Sequence, residues 1–330
     1  MKKITIIIPS YNEEENIPEL LLQLNELTQD KIEPAISNQE VSENELPKMG
    51  NYEWEFLFIN DGSRDNTLDL LLNSRKEDER INIIDLSRNF GKENAMLAGF
   101  DFATGDAVII IDADLQHPLN VIPEMIYYWE KGFDDVYGKR AIRGPEPFLR
   151  KQFSKTFYKL LQGSTRMEVL PNAGDFRLLD GRVVNQLKKL RETNRYTKGL
   201  YCWVGYKKKE IPFIINERQH GKSSFNFLSL LNLATEGLTS FSISPLRIST
   251  IIGFIVSLLA IVYIIIIIIK TIIYGEPVQG YPTIMCAILF LGGVQLISIG
   301  IIGEYVGRIF SESKNRPVYI IHTFNGDRIN

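Results

Sequence analysis

Along this chain, short apolar runs alternate with amphipathic stretches up to about residue 215, and beyond Arg247 apolar residues dominate. Ile4–Ile8 lacks the polar alternation of a half-exposed strand, which predicts a strand covered on both faces, and Trp54–Ile59, Ile81–Leu86 and Ala107–Ile111 read as three further strands. Between them, helices are predicted from about Glu14, with Asn12 as N-cap and an acidic first turn, and over Asp65–Arg80 and Lys92–Ala103. Strand–helix alternation of this kind implies an α/β domain with a mostly parallel, doubly wound sheet. Ligands of such sheets bind beyond the carboxyl ends of the strands. The polar stretch 30–52 has no periodicity and reads as a surface insertion.

Past Arg247 the pattern changes. Residues 248–269 contain no charge and would make a helix of roughly 33 Å, enough for a hydrocarbon core of about 30 Å. A second uncharged stretch, 283–302, is long enough by the same rule, and the turn-rich segment 274–282 joins the two. This predicts a two-helix transmembrane hairpin over 247–306. Arg247 before it and Arg308, Lys314 and Arg316 after it place the N-terminal domain and a tail, 307–330, in the cytoplasm. The first lines of sequence fit that orientation, because the apolar run after Lys3 stops at Pro9, too short for a signal-peptide core. Residues 224–246, with apolar positions at Phe225, Leu228, Leu231 and Leu238, suit a helix lying on the membrane surface. Glycines at 292, 293, 300, 303 and 307 suit close helix packing, within the hairpin or between copies in a homo-oligomer.

Composition narrows the function. With 37 Lys and Arg against 40 Asp and Glu, there is no electrostatic case for a nucleic-acid partner. Two cysteines exclude a disulfide scaffold, and no Cys/His cluster suggests zinc. His220-Gly221-Lys222-Ser223 resembles the end of a phosphate loop, but Asn216 stands where its first glycine is required.

The predicted strand ends carry the chemistry. The first ends in Pro9-Ser-Tyr11-Asn-Glu13, the second in Asn60-Asp61-Gly62-Ser63. The fourth delivers Asp112-Ala-Asp114-Leu-Gln116 into the expected crevice. Two carboxylates so close repel each other, and a divalent cation such as Mg²⁺ or Mn²⁺, shared with substrate phosphates, offsets that repulsion. Basic residues follow: Lys139, Arg140, Arg143, Arg150, Lys151 and Lys155, then Arg218 and Lys222. Arginine recognises phosphate through its planar fork, so a second anion beside the metal is expected, and in a membrane-anchored chain a lipid phosphate is the natural candidate.

Together, PSYNEEENI, FINDGSRDNT, IIIDADLQHP, VYGKR, AGDFRLLD and ERQHGKSSF, followed by two spans and EYVGRIF…NRPVYII, resemble bacterial polyprenyl-phosphate glycosyltransferases. These are family 2 enzymes of the GT-A fold, related to undecaprenyl-phosphate glucosyltransferases and dolichol-phosphate mannose synthases. The resemblance covers the chain outside 30–52 and implies a cytosolic GT-A domain over 1–223. It implies inverting transfer of a sugar from a nucleotide donor to undecaprenyl phosphate at the bacterial cell membrane. UDP-glucose or UDP-N-acetylglucosamine is the expected donor, with GDP-mannose as the alternative and a catalytically inactive nucleotide-binding scaffold as the rival from another class. By the same resemblance, Pro9, Tyr11, Glu13, Asp61 and Asp112 hold the nucleotide, and Asp112, Asp114 and Gln116 hold the metal. Arg140, Arg150, Ser154 and Arg218 hold the acceptor phosphate, and Asp114, Asp175 and Arg140 act directly in the reaction. A flippase and a periplasmic glycosyltransferase are the implied pathway partners. His117 stands where many relatives carry Asp.

Overall fold

A computed structural model describes residues 1–37, 41–140, 173–193, 195–214 and 280–328, with a few helical positions between 255 and 273. The chain divides into two compact units, one of residues 1–158, 167–226 and 317–330, the other of 159–166 and 227–316.

The first unit is built on a nine-stranded sheet. In chain order its strands are β1 (Lys3–Ser10), β2 (Glu53–Asn60), β3 (Ile81–Leu86), β4 (Ala107–Ile110), β5 (Asp135–Arg140), β6 (Ala173–Asp180), β7 (Lys208–Phe213), β8 (Ile321–Phe324) and β9 (Asp327–Arg328). They lie in the order β7-β5-β6-β4-β1-β2-β3-β8-β9. β4, β1, β2 and β3 are mutually parallel, β6 runs antiparallel between β4 and β5, and β7 is parallel to β5. The sheet is therefore mixed. The strand order reverses between β1 and β4, which makes the crevice beyond their carboxyl ends the place where a ligand binds in such sheets.

Both faces of β1 are covered, which is why its isoleucines show no alternation. Ile4, Ile6 and Ile8 pack in one core with Leu20 and Leu24 of α1 (Ile17–Thr28) and with Ile122 and Met125 of α4 (Ile122–Glu130). On the other face, α3 (Lys92–Phe102) comes so close that a Cβ on Gly99 would stand 2.6 Å from Ile7. Among the described residues, this unit also has α2 (Thr67–Glu77), α5 (Gly181–Leu187) and α6 (Thr197–Trp203).

Four expectations change, the first being the mostly parallel sheet, which pairs four times in parallel and four times antiparallel. α1 begins at Ile17 after Asn16, not after Asn12. Asn12 takes a positive φ of 55°, and its side chain instead accepts the Arg64 N–H at 2.8 Å, while Pro18 sets the first turn. The 30–52 segment is not merely superficial, for its Val41, Met49 and Tyr52 are buried in the core. Ser37 donates through both N–H and hydroxyl to the fully buried Glu124. The stretch read as a C-terminal tail supplies β8 and β9, a hairpin closed by Asn325-Gly326, both at positive φ. β8 lies antiparallel to β3, and Asn325 locks it there by accepting the Ile83 N–H at 2.8 Å.

In the second unit, α7 (Tyr281–Ser313) is a single helix of 33 residues, about 50 Å by helical rise. It contains the second predicted span, and its Phe290–Ser313 stretch is long and apolar enough to cross a membrane. Ile284, Ile288, Leu296 and Ile297 are exposed on it. Of the first predicted span, only Ile255, Val256, Val262, Ile265 and Ile269 are described, each helical. The surface helix predicted over 224–246 lies outside the described residues.

Candidate active site

The site is assembled from the carboxyl ends of β1, β2, β3 and β4 and the beginning of the antiparallel β6. The β1 and β2 loops are tied to each other. Asn12 N–H donates to Ser63 Oγ at 3.0 Å, Glu13 N–H to Thr67 Oγ1 at 2.9 Å, and Glu14 N–H to Asp65. Glu13 in turn accepts from Asn16 Nδ2 at 2.6 Å. Pro9 lies within β1 beside Ile59, and Tyr11 is 41% exposed just past the strand.

Asp61 joins this pair of loops to a third. Only 3% exposed, its carboxylate accepts the Phe90 N–H at 2.7 Å and the Gly91 N–H at 2.9 Å. Burial raises its pKa, and those two hydrogen bonds oppose the rise. Gly62, at φ +67°, fits under the same loop, where an added Cβ would meet Arg88 C at 2.5 Å and Asn89 N at 2.6 Å. β8 braces the loop from the far side, since Ser87 N–H donates to the Ile320 carbonyl at 2.9 Å.

β4 ends at Ile110, one residue before the end predicted, and Asp112–Gln116 forms a turn beyond it. Leu115 holds that turn at φ 61°, and Gln116 N–H donates to Asp114 Oδ1 at 3.2 Å. His117 folds back beneath it, its Nδ1 accepting the Asp112 N–H at 3.0 Å and its ring stacked on Phe176 at 4.8 Å. Accepting at Nδ1 requires the proton on Nε2, and burial depresses the imidazole pKa, so His117 is a neutral, buried support.

Lys92, the first residue of α3, completes the cluster. Its Nζ stands 2.5 Å from Asp112 Oδ1 and 3.1 Å from Asp175 Oδ2. Burial raises the pKa of Asp175, but Lys92 and then Lys198 more than offset it and hold the carboxyl below its ordinary range. Asp112 is held low in the same way, against burial, chiefly by Lys92. Behind Asp175 on β6, Arg177 is 1% exposed, paired with Asp135 at 2.9 Å and laid over the Tyr201 ring at 3.6 Å.

This donor set fits a hard divalent cation. Its ligating atoms are carboxylate oxygens, it already holds one cation in the Lys92 ammonium, and buried Asp175 Oδ1 meets no hydrogen-bond donor. Among the described residues no three His, Cys, Asp or Glu side chains converge on one point. A metal here would therefore need oxygens from its substrate as well.

Of the expected residues, the structure brings Asp112 and Asp175 together through Lys92 and gathers Tyr11, Glu13 and Asp61 on the adjoining loops, with Pro9 near the end of β1. Asp114 and Gln116 share the β4 turn. Arg140 ends β5 on the same edge, exposed, while neighbouring Lys139 is paired with Glu210 at 2.9 Å. Arg150, Ser154 and Arg218 lie outside the described residues. Lys92 and Arg177 were not singled out by sequence, although Arg177 stands inside the AGDFRLLD motif.

Comparison with known proteins agrees with this geometry. Residues 5–187 match the profile described as glycosyl transferase family 2, and residues 244–309 match the GtrB C-terminal hairpin. The bactoprenol glucosyl transferase of Shigella phage SfV is 43% identical over 97% of this chain and 98% of its own length. The prophage bactoprenol glucosyl transferase homolog of Escherichia coli K12 is 42% identical over 97% of this chain and 98% of its own. Among solved structures, the mannosyltransferase PcManGT of Pyrobaculum calidifontis, in complex with GDP-Man and Mn²⁺, aligns at a TM-score of 0.40 and 14% identity. That alignment covers 90% of this chain and 87% of the other, a likeness too remote to bear on donor or metal. The match over more than half the chain and the near full-length relatives make the conclusion direct: this chain belongs to glycosyl transferase family 2.

Proposed function

We propose that the chain transfers glucose from UDP-glucose to the phosphate of undecaprenyl phosphate, with inversion, at the cytosolic face of the bacterial membrane. The observation that carries this reading is the strand-end cluster of Asp112, Asp175 and Lys92 in a chain 43% identical to a bactoprenol glucosyl transferase. Asp112 and Asp114 would hold Mg²⁺ or Mn²⁺ on the donor diphosphate, with Gln116 beside them, and Tyr11, Glu13 and Asp61 would seat the nucleotide. A bound metal would stabilise the charge that develops on the departing diphosphate.

Lipid phosphate is largely ionised near neutral pH, so the acceptor needs positioning more than deprotonation. Asp175 suits that need. A carboxylate held below its ordinary pKa by Lys92 and Lys198 is a weak base, and its fixed charge orients rather than abstracts. Arg140 would meet the acceptor phosphate from the end of β5, with Arg150, Ser154 and Arg218 as its expected companions.

The topology supports delivery from a membrane. The described chain runs off the sheet past the carboxyl end of β7 and returns into β8 opposite Leu86, at the carboxyl end of β3. Both points lie on the edge that carries the site. Because β1 and β8 share one sheet, any membrane crossed between Ile214 and Ile321 is crossed an even number of times. A spanning α7 thus calls for a second crossing, as a hairpin provides.

The test is nucleotide release by detergent-purified protein with Mn²⁺ and undecaprenyl phosphate, across UDP- and GDP-sugars. Release with UDP-glucose that requires the lipid and disappears with EDTA is expected. Release with GDP-mannose alone would replace the donor, and none with any donor from folded protein would favour a nucleotide-binding scaffold.

A further inference from the structure

The strand-end cluster contains a cation of its own. Lys92 bridges two carboxylates, Asp112 and Asp175, in a set of oxygens that also suits a divalent cation. Lys92 and a metal would want the same atom, because Asp112 Oδ1 already accepts from Lys92 Nζ at 2.5 Å. The lysine side chain is 42% exposed, so its ammonium can exchange a carboxylate partner for water or another anion. Asp175, by contrast, is 8% exposed and fixed on β6.

We propose that Lys92 competes with the divalent metal for Asp112, so that metal binds weakly to the donor-free protein and firmly only together with the donor diphosphate. The inference rests on the reading of Asp112 and Asp114 as the metal-bearing pair. In the donor-free protein a metal must displace a close ion pair and gains at most two protein carboxylates. When a diphosphate enters, it contributes its own oxygens to the metal, and its negative charge offers the displaced ammonium another partner. Lys92 thereby couples two binding events. It also keeps Asp175 ionised and oriented while no metal is present, through the 3.1 Å contact.

A lysine that only stabilised the fold would leave metal affinity unchanged when removed, and this separates the two roles. The experiment is a Mn²⁺ titration of full-length, detergent-purified protein followed by electron paramagnetic resonance, with and without UDP. Lys92→Met is expected to bind Mn²⁺ alone at least tenfold more tightly than the wild type, about 1.4 kcal/mol. UDP should then tighten Mn²⁺ binding strongly in the wild type and little in the variant. Lys92→Arg, which keeps the charge, should bind Mn²⁺ alone as weakly as the wild type. Lys92→Gln serves as the neutral variant if Lys92→Met does not melt cooperatively. Equal or weaker Mn²⁺ affinity in a folded neutral variant would overturn the competition and leave the metal site standing. No Mn²⁺ binding by any of these proteins, even with UDP, would overturn both.

Discussion

Gly62 offers the sharpest test of how the nucleotide loops are held. Gly62→Ala places a Cβ 2.5 Å from the carbonyl carbon of Arg88 and 2.6 Å from Asn89 N, against an ordinary contact of 3.4–4 Å. Both neighbours are backbone, so the loop must retreat by about 1 Å. That movement breaks or lengthens the hydrogen bonds from Phe90 and Gly91 to Asp61, now 2.7 and 2.9 Å, each worth roughly 1.5 kcal/mol or more. The φ of +67° adds about 1–2 kcal/mol for any side chain. The total is about 4–5 kcal/mol. Gly132 has a comparable φ of +89° with nothing within 4 Å of an added Cβ, so Gly132→Ala should lose only the conformational part, about 1–2 kcal/mol. Denaturant unfolding would compare the two. A 1 Å displacement at the site should also lower kcat/KM for the nucleotide-sugar about 100-fold in Gly62→Ala, with the KM for lipid little changed. Equal destabilisation by both variants, with wild-type donor kinetics in Gly62→Ala, would refute the interlocked-loop reasoning.

Further outcomes follow from the same contacts. Arg177→Met strands the buried Asp135 carboxylate and should cost about 3–5 kcal/mol at neutral pH, and Arg177→Met/Asp135→Leu should recover most of it. Burial raises the Asp135 pKa even beside Arg177, so ionisation opposes folding, and the deficit of Arg177→Met should shrink as pH falls and the carboxyl is protonated. Urea unfolding at pH 5.5 and 8 checks the sign. Removal of residues 317–330 takes away β8 and the Ile320 carbonyl that braces Ser87, so amide exchange over 83–91 should rise and donor KM increase more than acceptor KM.

The four strands of the nucleotide half were legible because each is a short, mostly apolar run covered on both faces. The end of β4 was legible to within one residue of Ile111, but the turn beyond it was not, since Leu115 makes it by taking a positive φ. Lys92 escaped notice for a different reason. It meets Asp112 and Asp175 only after α3 folds back across the sheet, and nothing in local spacing relates positions 92, 112 and 175. Arg177 lay inside a motif used only for its aspartate. The C-terminal hairpin could have been found, because Asn325-Gly326 between Ile320–Phe324 and Asp327–Arg328 is a strong hairpin signal. What no short-range pattern supplies is its partner, β3, more than two hundred residues away.

The most direct measurement is transfer of radiolabelled sugar from UDP-glucose into lipid-extractable product, by wild-type protein and by Asp114→Ala matched for folding. Label in the lipid phase for the wild type, dependent on undecaprenyl phosphate and reduced by at least two orders of magnitude in Asp114→Ala, is the expected result. Lipid-linked product formed at a near wild-type rate by folded Asp114→Ala would contradict the assignment of transfer to the β4 carboxylates.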